Sequence, residues 1–553
     1  MEHNSRPPGT KSQRVRYAVS GVLAAAAGMA VGHLVAAFVN PAASPVLAVG
    51  STVIDATPTP IKEWAVRNFG TADKPVLLGS VTLVVVIAAA VIGLVSRTKP
   101  SLANILVVGL AALAGLAAWF RPASATFDIV PAFVTAIVGV ITLTGLRALI
   151  PNLPTPGAAT ASGPTSGAAG TPATAATAAG RASPAQESPL DHTAYAKGAS
   201  ATPARRNFLI GAAGVTVGAA ALGTLGQKLA APATPPSSVA LPEPQNTLAA
   251  LPTGIEGKVK GVSAFSTPLN DFYRVDTALV IPRIDVDKWV LEIDGKVDKK
   301  LSITFAELLK MPMIEKDITL NCVSNEVGGP YISSTRWLGV RVRDLLERAG
   351  IQDGVDQILS ESTDGMTIST PVEALTDDRD ALIAVAMNGQ PLPTRHGFPA
   401  RMVTPGLYGF VGATKWLTKL TATTYAAEKA YWTKRDWAID GTVKTQARID
   451  TPAGLATYKP GKVAIGGVAW AQLRGIKEVE VRVDNGPWQK ATLGPDGGTD
   501  YWRQWFWVWD ATTGRHDLTV RATDGTGQVQ TKDRADPFPG GASGWHSIVV
   551  LVS

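Results

Sequence analysis

Thr319-Leu-Asn-Cys-Val-Ser-Asn-Glu-Val-Gly-Gly-Pro330 contains Cys322, the one cysteine in 553 residues. A strand-like apolar run, Ile318 to Leu320, breaks there into glycine-containing loop chemistry. A lone thiol has no partner for an intramolecular disulfide. It is an inert buried residue, an intermolecular linker or a ligand. Burial is the ordinary fate of a single cysteine, so the choice rests on what surrounds it.

Outward from that loop the chain divides. Five apolar stretches, Tyr17 to Val39, Val76 to Ser96, Ser101 to Phe120, Ile129 to Leu149 and Asn207 to Gly226, each approach the ~20 residues that cross a hydrocarbon core. The net charge of +7 is carried by this half: residues 1–226 hold 15 Lys+Arg against 7 Asp+Glu, and the rest hold 36 against 37. The basic balance therefore belongs to the helical half, and nucleic-acid binding is not expected. Arg6, Lys11, Arg14 and Arg16 precede the first stretch. Arg97 and Lys99 separate the second from the third. Arg147, Arg181, Lys197, Arg205 and Arg206 lie between the fourth and fifth. The opposite loops hold Lys62, Arg67, Lys74 and Arg121. That bias puts the N-terminus inside and residues 227–553 outside the cytoplasm. His33 has no second histidine in the spans to share a haem with, so the four helices read as an anchoring bundle packed through Gly and Ala.

Pro151 to Pro203 is rich in Ala, Thr, Gly, Ser and Pro and reads as a flexible linker. Arg205-Arg206-Asn-Phe-Leu209, followed by a mild Gly/Ala-rich run, resembles a twin-arginine export signal. Leu229-Ala-Ala-Pro-Ala233 has the small residues of a cleavage site.

The remainder reads as two units. Trp289 to Gly295 is a strand and turn. Thr304-Phe-Ala-Glu307 is a capping box opening a short helix that Pro312 ends. Val340 to Ala349 is an amphipathic helix stopped by Gly350. From about Lys434 the pattern is all-β, with Asn485-Gly486 as a hairpin turn and short alternating strands that suggest an immunoglobulin-like sandwich. Trp502, Trp505, Trp507 and Trp509 are expected to pack that domain.

Residues from roughly 266 onward resemble the sulfite oxidase family of molybdopterin-dependent oxidoreductases. NDFYRVDTALVIPRID, LNCVSNEVGG, RHGFPARMVTPGLYGFVGATKWL and the strands from GVAWAQ onward carry the resemblance, in the family's order. It implies that Cys322 is catalytic and ligates molybdenum, a soft thiolate on a redox metal. It also implies that Asn270, Tyr273 and Arg274 contact the pterin, that His396 and Arg401 form a basic pair, and that Ala413, Thr414 and Lys415 wrap the pterin phosphate, which favours charged donors.

The fold expected is an N-terminal transmembrane α-helical bundle, then an α+β sulfite-oxidase-type molybdopterin domain, then an all-β immunoglobulin-like sandwich of the kind that mediates dimerisation. The boundaries are 1–150 for four helices, 151–203 for the linker, 204–230 for the export motif and fifth helix, 231–265 for a second linker, 266–432 for the catalytic domain and 433–553 for the sandwich. The implied activity is extracytoplasmic oxygen-atom transfer on a small sulfur or nitrogen oxo compound. Membrane lipid surrounds the helices, and a cytochrome or the quinone chain is the redox partner. The competing reading is a non-catalytic surface binding protein reusing the fold. The arginines that follow the cysteine in sulfite-oxidising members are absent here, Glu326 is present, and Met366 stands where those members carry a tyrosine. Arg336 and Arg274 are the candidates for a substitute cationic pocket.

Overall fold

The computed structural model describes residues 9–69, 72–150, 203–229 and 234–553. The linker from Pro151, with Arg181 and Lys197, lies outside the described residues, as do Arg6 and the cleavage-like residues after Leu229.

Seven helices open the described chain: α1 (Gly9–Val39), α2 (Pro45–Ala56), α3 (Thr59–Phe69), α4 (Asp73–Val95), α5 (Pro100–Trp119), α6 (Val130–Ala148) and α7 (Pro203–Leu229). Five segments, Ser12–Val39, Asp73–Val95, Pro100–Trp119, Thr126–Ala148 and Arg206–Leu229, are long and apolar enough to cross a membrane. α2 and α3 are not among them. They occupy the stretch between the first two spans, where the sequence pattern predicts a loop. Pro45 starts the first turn of α2, where the missing N–H costs nothing.

Contacts gather the chain into two compact units. The first comprises Met1–Gly32, Leu83–Ala112 and Phe133–Thr224. Its helices pack through small residues. A Cβ on Gly21 would overlap the Ala89 carbonyl, and one on Gly93 would overlap the Tyr17 carbonyl, so α1 and α4 meet backbone to backbone. Thr135 donates to the Gly28 carbonyl at 3.1 Å. Ala24, Ile92, Ala103 and Leu143 fill the space between.

The second unit comprises His33–Thr82, Leu113–Ala132 and Leu225–Ser553. In it β1 (Val290–Gly295), β2 (Leu301–Thr304), α8 (Phe305–Leu308), β3 (Ile314–Asn321), β4 (Ile332–Arg341), α9 (Val342–Ala349), β5 (Gln357–Ser362), β6 (Thr367–Pro371), α10 (Glu373–Thr376), β7 (Leu382–Met387), β8 (Gln390–Pro391), β9 (Arg401–Val403), α11 (Gly409–Gly412) and β10 (Leu417–Thr423) follow in order. One sheet runs β2-β1-β10-β5-β6, with β1 and β10 parallel. A second runs β3-β4-β7-β8, with β9 pairing β7. Leu291, Ile303, Val340, Leu346, Ile383 and Leu420 belong to one core that both sheets share. The Thr304 capping box forms as expected, with Glu307 N–H reaching Thr304 Oγ1 at 3.3 Å and Thr304 N–H reaching Glu307 at 2.9 Å. Gly350 ends α9 at φ 69°, a left-handed position that glycine adopts without a Cβ penalty.

The C-terminal region is β-rich: β11 (Gln446–Thr451), β12 (Thr457–Tyr458), β13 (Gly461–Trp470), β14 (Ile476–Val483), β15 (Gln489–Lys490), β16 (Thr492–Leu493), β17 (Arg503–Ala511), β18 (Gly514–Asp524) and β19 (His546–Val552). A sheet β11-β13-β17-β16 and a sheet β12-β19-β18-β14-β15 share one core. β14 and β15 pair across the Asn485-Gly486 turn. Trp505 and Trp509 sit in that core with Trp507 packed against it. Trp502 instead joins Phe265, Val323, Tyr408, Trp437 and Trp470 in a cluster between the two regions, and its indole donates to the Phe265 carbonyl at 2.7 Å.

Candidate active site

β3 delivers Cys322. The last rung of its ladder pairs Asn321 with Ile332, and the chain then turns through residues 322–331. The turn is held by its own backbone. Cys322 N–H donates to Tyr331 O at 3.0 Å and Asn325 N–H donates to Cys322 O at 3.1 Å. The Asn325 side-chain oxygen accepts from Tyr331 N–H at 2.8 Å. The C-terminal region braces the same loop. Arg448 donates to Gly329 O at 2.8 Å, and Gly328, at φ 83°, leaves room for the His546 ring that any Cβ there would strike. Burial pushes the Cys322 thiol up, and hydrogen bonds from Ser324 and the charge of Lys415 oppose that.

Cys322 lies in the wall of a cavity of about 660 Å³, within the roughly 300–1,000 Å³ of ordinary ligand pockets. Tyr273, Ala413, Thr414 and Lys415 line it too, so five of the sequence candidates meet there. Glu326 and Met366 also face it. Desolvation first, with Cys322 adding to it, raises the Tyr273 phenol, which stays a protonated donor.

Arg401 and His396 lie behind this wall. Arg401, on β9, is 4% exposed. Its guanidinium meets carbonyls, His396 O at 3.2 Å and Ala413 O at 3.3 Å, and lies 5.2 Å from the Trp337 ring centre. No carboxylate pairs with it among the described residues. Burial lowers it to about 10. His396, 1% exposed, accepts from Arg395 Nε at 3.1 Å. Burial and then Arg401 push it down to about 3, so it is neutral at physiological pH. The chain passes between these groups at Gly397, φ 109°, where a Cβ would stand 3.1 Å from both the Arg401 and Lys415 Cβ atoms.

Asp276 is the hub of the charged end, and the sequence reading did not single it out. It accepts from Lys415 at 2.6 Å, Lys74 at 2.6 Å and Arg274 at 2.7 Å. Burial alone would raise its carboxyl, but Lys415, Lys74 and Arg274 hold it well below the usual carboxylate range. Burial lowers Lys415 to about 8 against the pull of Asp276. Lys74, Arg274 and Lys415 thus gather around one carboxylate, with Arg401 close enough to feel its charge but bonded to carbonyls. This surplus of buried positive charge suits an anionic phosphate. Arg401, with carbonyl partners only, is the clearest sign that these residues fit the pterin group.

Two sequence candidates fall elsewhere. Asn270 is exposed, and its backbone carbonyl, not its side chain, accepts from Arg395 at 2.5 Å. Arg336 does not line the cavity. It is spent on Asp317, with both contacts at 2.8 Å, and on Leu248 and Ala249 carbonyls. Arg274 is likewise engaged by Asp276. The substitute cationic pocket expected from these two arginines therefore does not form.

Residues that the sequence reading passed over complete the cavity. Ile54 and Thr57 at the end of α2, Ile61 and Ala65 on α3, and Leu77 on α4 form one side. Further contacts fix that side to the catalytic region. Tyr431 donates to Asp55 at 2.7 Å, Lys74 donates to Ala278 O at 2.8 Å, and a Cβ on Gly365 would press on Ala123.

Residues 278–432 match the oxidoreductase molybdopterin binding domain. This places the Cys322 loop and the Arg401–Lys415 segment in a molybdopterin-binding domain. The chain is 29% identical over 347 residues to human mitochondrial sulfite oxidase, covering 52% of this chain and 62% of that protein. It is 30% identical over 294 residues to the rat protein, covering 44% and 52%. It is 27% identical over 320 residues to the NADH nitrate reductase of Solanum lycopersicum, covering 45% and 34%. The chain thus spans about half to three-fifths of the sulfite oxidases it matches. The sulfane dehydrogenase SoxCD from Paracoccus pantotrophus superimposes with a TM-score of 0.46 at 23% identity, over 53% of this chain and 84% of that one. Over about half its length the chain is similar to the sulfite oxidases, and residues 278–432 match a molybdopterin-binding oxidoreductase domain.

Proposed function

We propose that this chain is a membrane-anchored, extracytoplasmic molybdopterin enzyme that transfers an oxygen atom to or from a small sulfur or nitrogen oxo compound. The observation that carries it is the placing of Cys322 in one cavity with Tyr273 and the Ala413–Lys415 turn, beside a buried, carboxylate-free Arg401. Cys322 would supply the protein's thiolate to molybdenum. Arg401, Lys415 and Arg274 would hold the pterin phosphate, with neutral His396 packed behind them. When bound, molybdopterin supplies the two-electron metal chemistry, and the protein orients it. The Cys322 loop fixes the thiolate through its own backbone bonds and through Arg448. The Tyr273 phenol offers a hydrogen bond into the cavity. Met366, Phe410, Trp432 and Trp437 line the same space and keep water away from it.

The five apolar helices and the basic bias of their flanks support anchoring with the catalytic region outside. Arg205-Arg206, in the first turns of α7, supports export by the twin-arginine route. The two sheets of the C-terminal region support an immunoglobulin-like sandwich, with dimerisation as its role. The domain limits remain those read from the sequence.

The test is molybdenum and pterin content of purified full-length protein, followed by a panel of S-oxides, N-oxides and their reduced partners in both redox directions. Stoichiometric molybdopterin with turnover of at least one pair is expected. Protein that binds no molybdopterin when produced in a cofactor-making host overturns the proposal.

A further inference from the structure

An oxygen-atom transfer leaves two electrons to be delivered or removed in each cycle. One cysteine in the sequence cannot ligate an iron–sulfur cluster, which takes several cysteines. Within this chain, then, electrons reach the site from a partner that comes to it.

The wall beside the charged hub shows what kind of partner fits. It is built from Ile54 and Thr57 at the end of α2, Ile61, Lys62 and Ala65 on α3, and Leu77 on α4, about one turn past the Lys74 that reaches Asp276. α1 ends at Val39, α4 starts at Asp73, α5 ends at Trp119 and the next span starts at Thr126. On the membrane reading proposed above, α2 and α3 therefore lie at the level where the spans leave the bilayer. The side chains agree. Trp64 is 56% exposed, Phe120 77% and Phe127 69%, the aromatic residues expected at a headgroup boundary. α3 shows two characters. Ile61 and Ala65 line the cavity, while Trp64 stands outside it, edge-on to Phe69 with ring centres 5.5 Å apart. Met366, Phe410, Trp432 and Trp437 line the same cavity as Ile61 and Ala65. A soluble protein carrier needs an exposed docking face near the metal, whereas this side of the cavity is apolar at Ile54, Ile61, Ala65 and Leu77, the last on a membrane-length helix. Lys62 adds one polar feature. Its ammonium is buried without a hydrogen-bond acceptor, 5.9 Å from the Tyr431 ring centre, so an acceptor on a ligand would relieve an unsatisfied donor.

We infer that the α2–α3 wall is a binding site for a lipid-soluble quinol, which enters from the bilayer and exchanges electrons directly with the molybdenum site. The carrier's apolar ring and tail meet Ile54, Ile61, Ala65 and Leu77, and a ring oxygen accepts from Lys62. The balance closes. The quinol gives up two electrons and two protons and becomes the quinone. The oxo substrate takes both electrons and both protons, its bond to oxygen breaks, and the oxygen leaves as water. In the opposite direction water supplies the oxygen and the quinone becomes quinol. This inference rests on the proposed molybdoenzyme function.

The experiment uses molybdenum-loaded full-length protein in lipid nanodiscs, with decylubiquinone and a short-tailed naphthoquinone as probes. Quinone binding is read by quenching of tryptophan fluorescence. Electron transfer is read separately with the quinols and with a water-soluble viologen dye. Saturable quinone binding and quinol-driven turnover are expected in wild type. Ala65→Trp, which fills the slot, should weaken quinone binding about tenfold or more, or ~1.4 kcal/mol, with molybdenum and pterin content at the wild-type level. Should Ala65→Trp fail to fold, Ile61→Glu and Lys62→Met carry the same test. Protein that is loaded and turns over with the dye but binds neither quinone overturns this inference alone, as do variants that bind quinone as wild type does. Protein that holds no molybdenum and is inert with the dye overturns the proposed function, and this inference with it.

Discussion

The two sides of the Cys322 cavity are built on opposite principles. At the charged end, Asp276 holds Lys415, Lys74 and Arg274 at 2.6–2.7 Å, and Arg401 lies buried on carbonyls alone. Every group there has a required direction. Removing one partner from a buried ion pair costs roughly 3–5 kcal/mol. At the α2–α3 side, Ile54, Ile61, Ala65 and Leu77 present shape, with the Lys62 ammonium as the one polar feature described above. A fully buried aliphatic side chain contributes about 1.5–3 kcal/mol, and these are partly open to the cavity. The contrast is between a surface that fixes one ligand in one pose and a surface that admits any apolar molecule of suitable width.

Cys322→Ser should have the largest effect, with turnover lost, the fold retained and the sulfur-ligated molybdenum spectrum gone. Full activity in that variant would break the contrast at its root. Asp276→Asn comes next, since it leaves three cations without their carboxylate; a loss of roughly 3–5 kcal/mol is expected in denaturant unfolding of the cofactor-free protein. The sign with pH follows. The folded carboxyl is depressed, so its contribution is intact above about pH 4 and is lost as pH falls toward the lower folded value. Wild type should therefore lose stability on acidification more steeply than Asp276→Asn. Arg401→Ala should weaken cofactor retention about 10–100-fold, the loss of one charge-assisted bond, and Arg401→Lys should restore only part because it lacks the fork. Unchanged pterin occupancy in Arg401→Ala would move the phosphate elsewhere. Lys415 sharpens the picture from the basic side. Its folded value near 8 lies below the 10.5 of a free lysine, so between those values the unfolded chain binds more protons and cofactor-free protein gains stability as pH rises. That slope should vanish in Lys415→Met. The smallest effect is expected for Lys74→Met, about 1 kcal/mol in thermal unfolding, since Lys415 and Arg274 still hold Asp276.

The same contrast explains what the sequence disclosed. Cys322 and the Ala413–Lys415 turn stood out in the sequence, and they share one cavity, because the metal and phosphate roles proposed for them would demand particular atoms. So did the Thr304 capping box and the Gly350 stop, which are local. Asn270 does not line the cavity: its side chain is exposed and its carbonyl does the bonding. Arg336 was misread because Asp317, its partner across a strand pair, is visible only in the ladder register. Asp276 went unnoticed because its partners come from as far as Lys74, 202 residues away. Arg448 and His546 brace the cysteine loop from the far end of the chain. α2 and α3 carry no motif, because an apolar wall requires none. The alternation in α3 between Ile61/Ala65 and Trp64 was the one available signal.

The Lys74–Asp276 pair also sets a calendar. Its two ends are separated by 202 residues, which at roughly 5–20 residues per second is about 10–40 s of synthesis. The ribosome therefore finishes α2 and α3 well before Asp276, and much before the Arg401–Lys415 segment, exists. The wall formed by α2 and α3 therefore waits, already synthesised, for the strands and loops that complete the cavity.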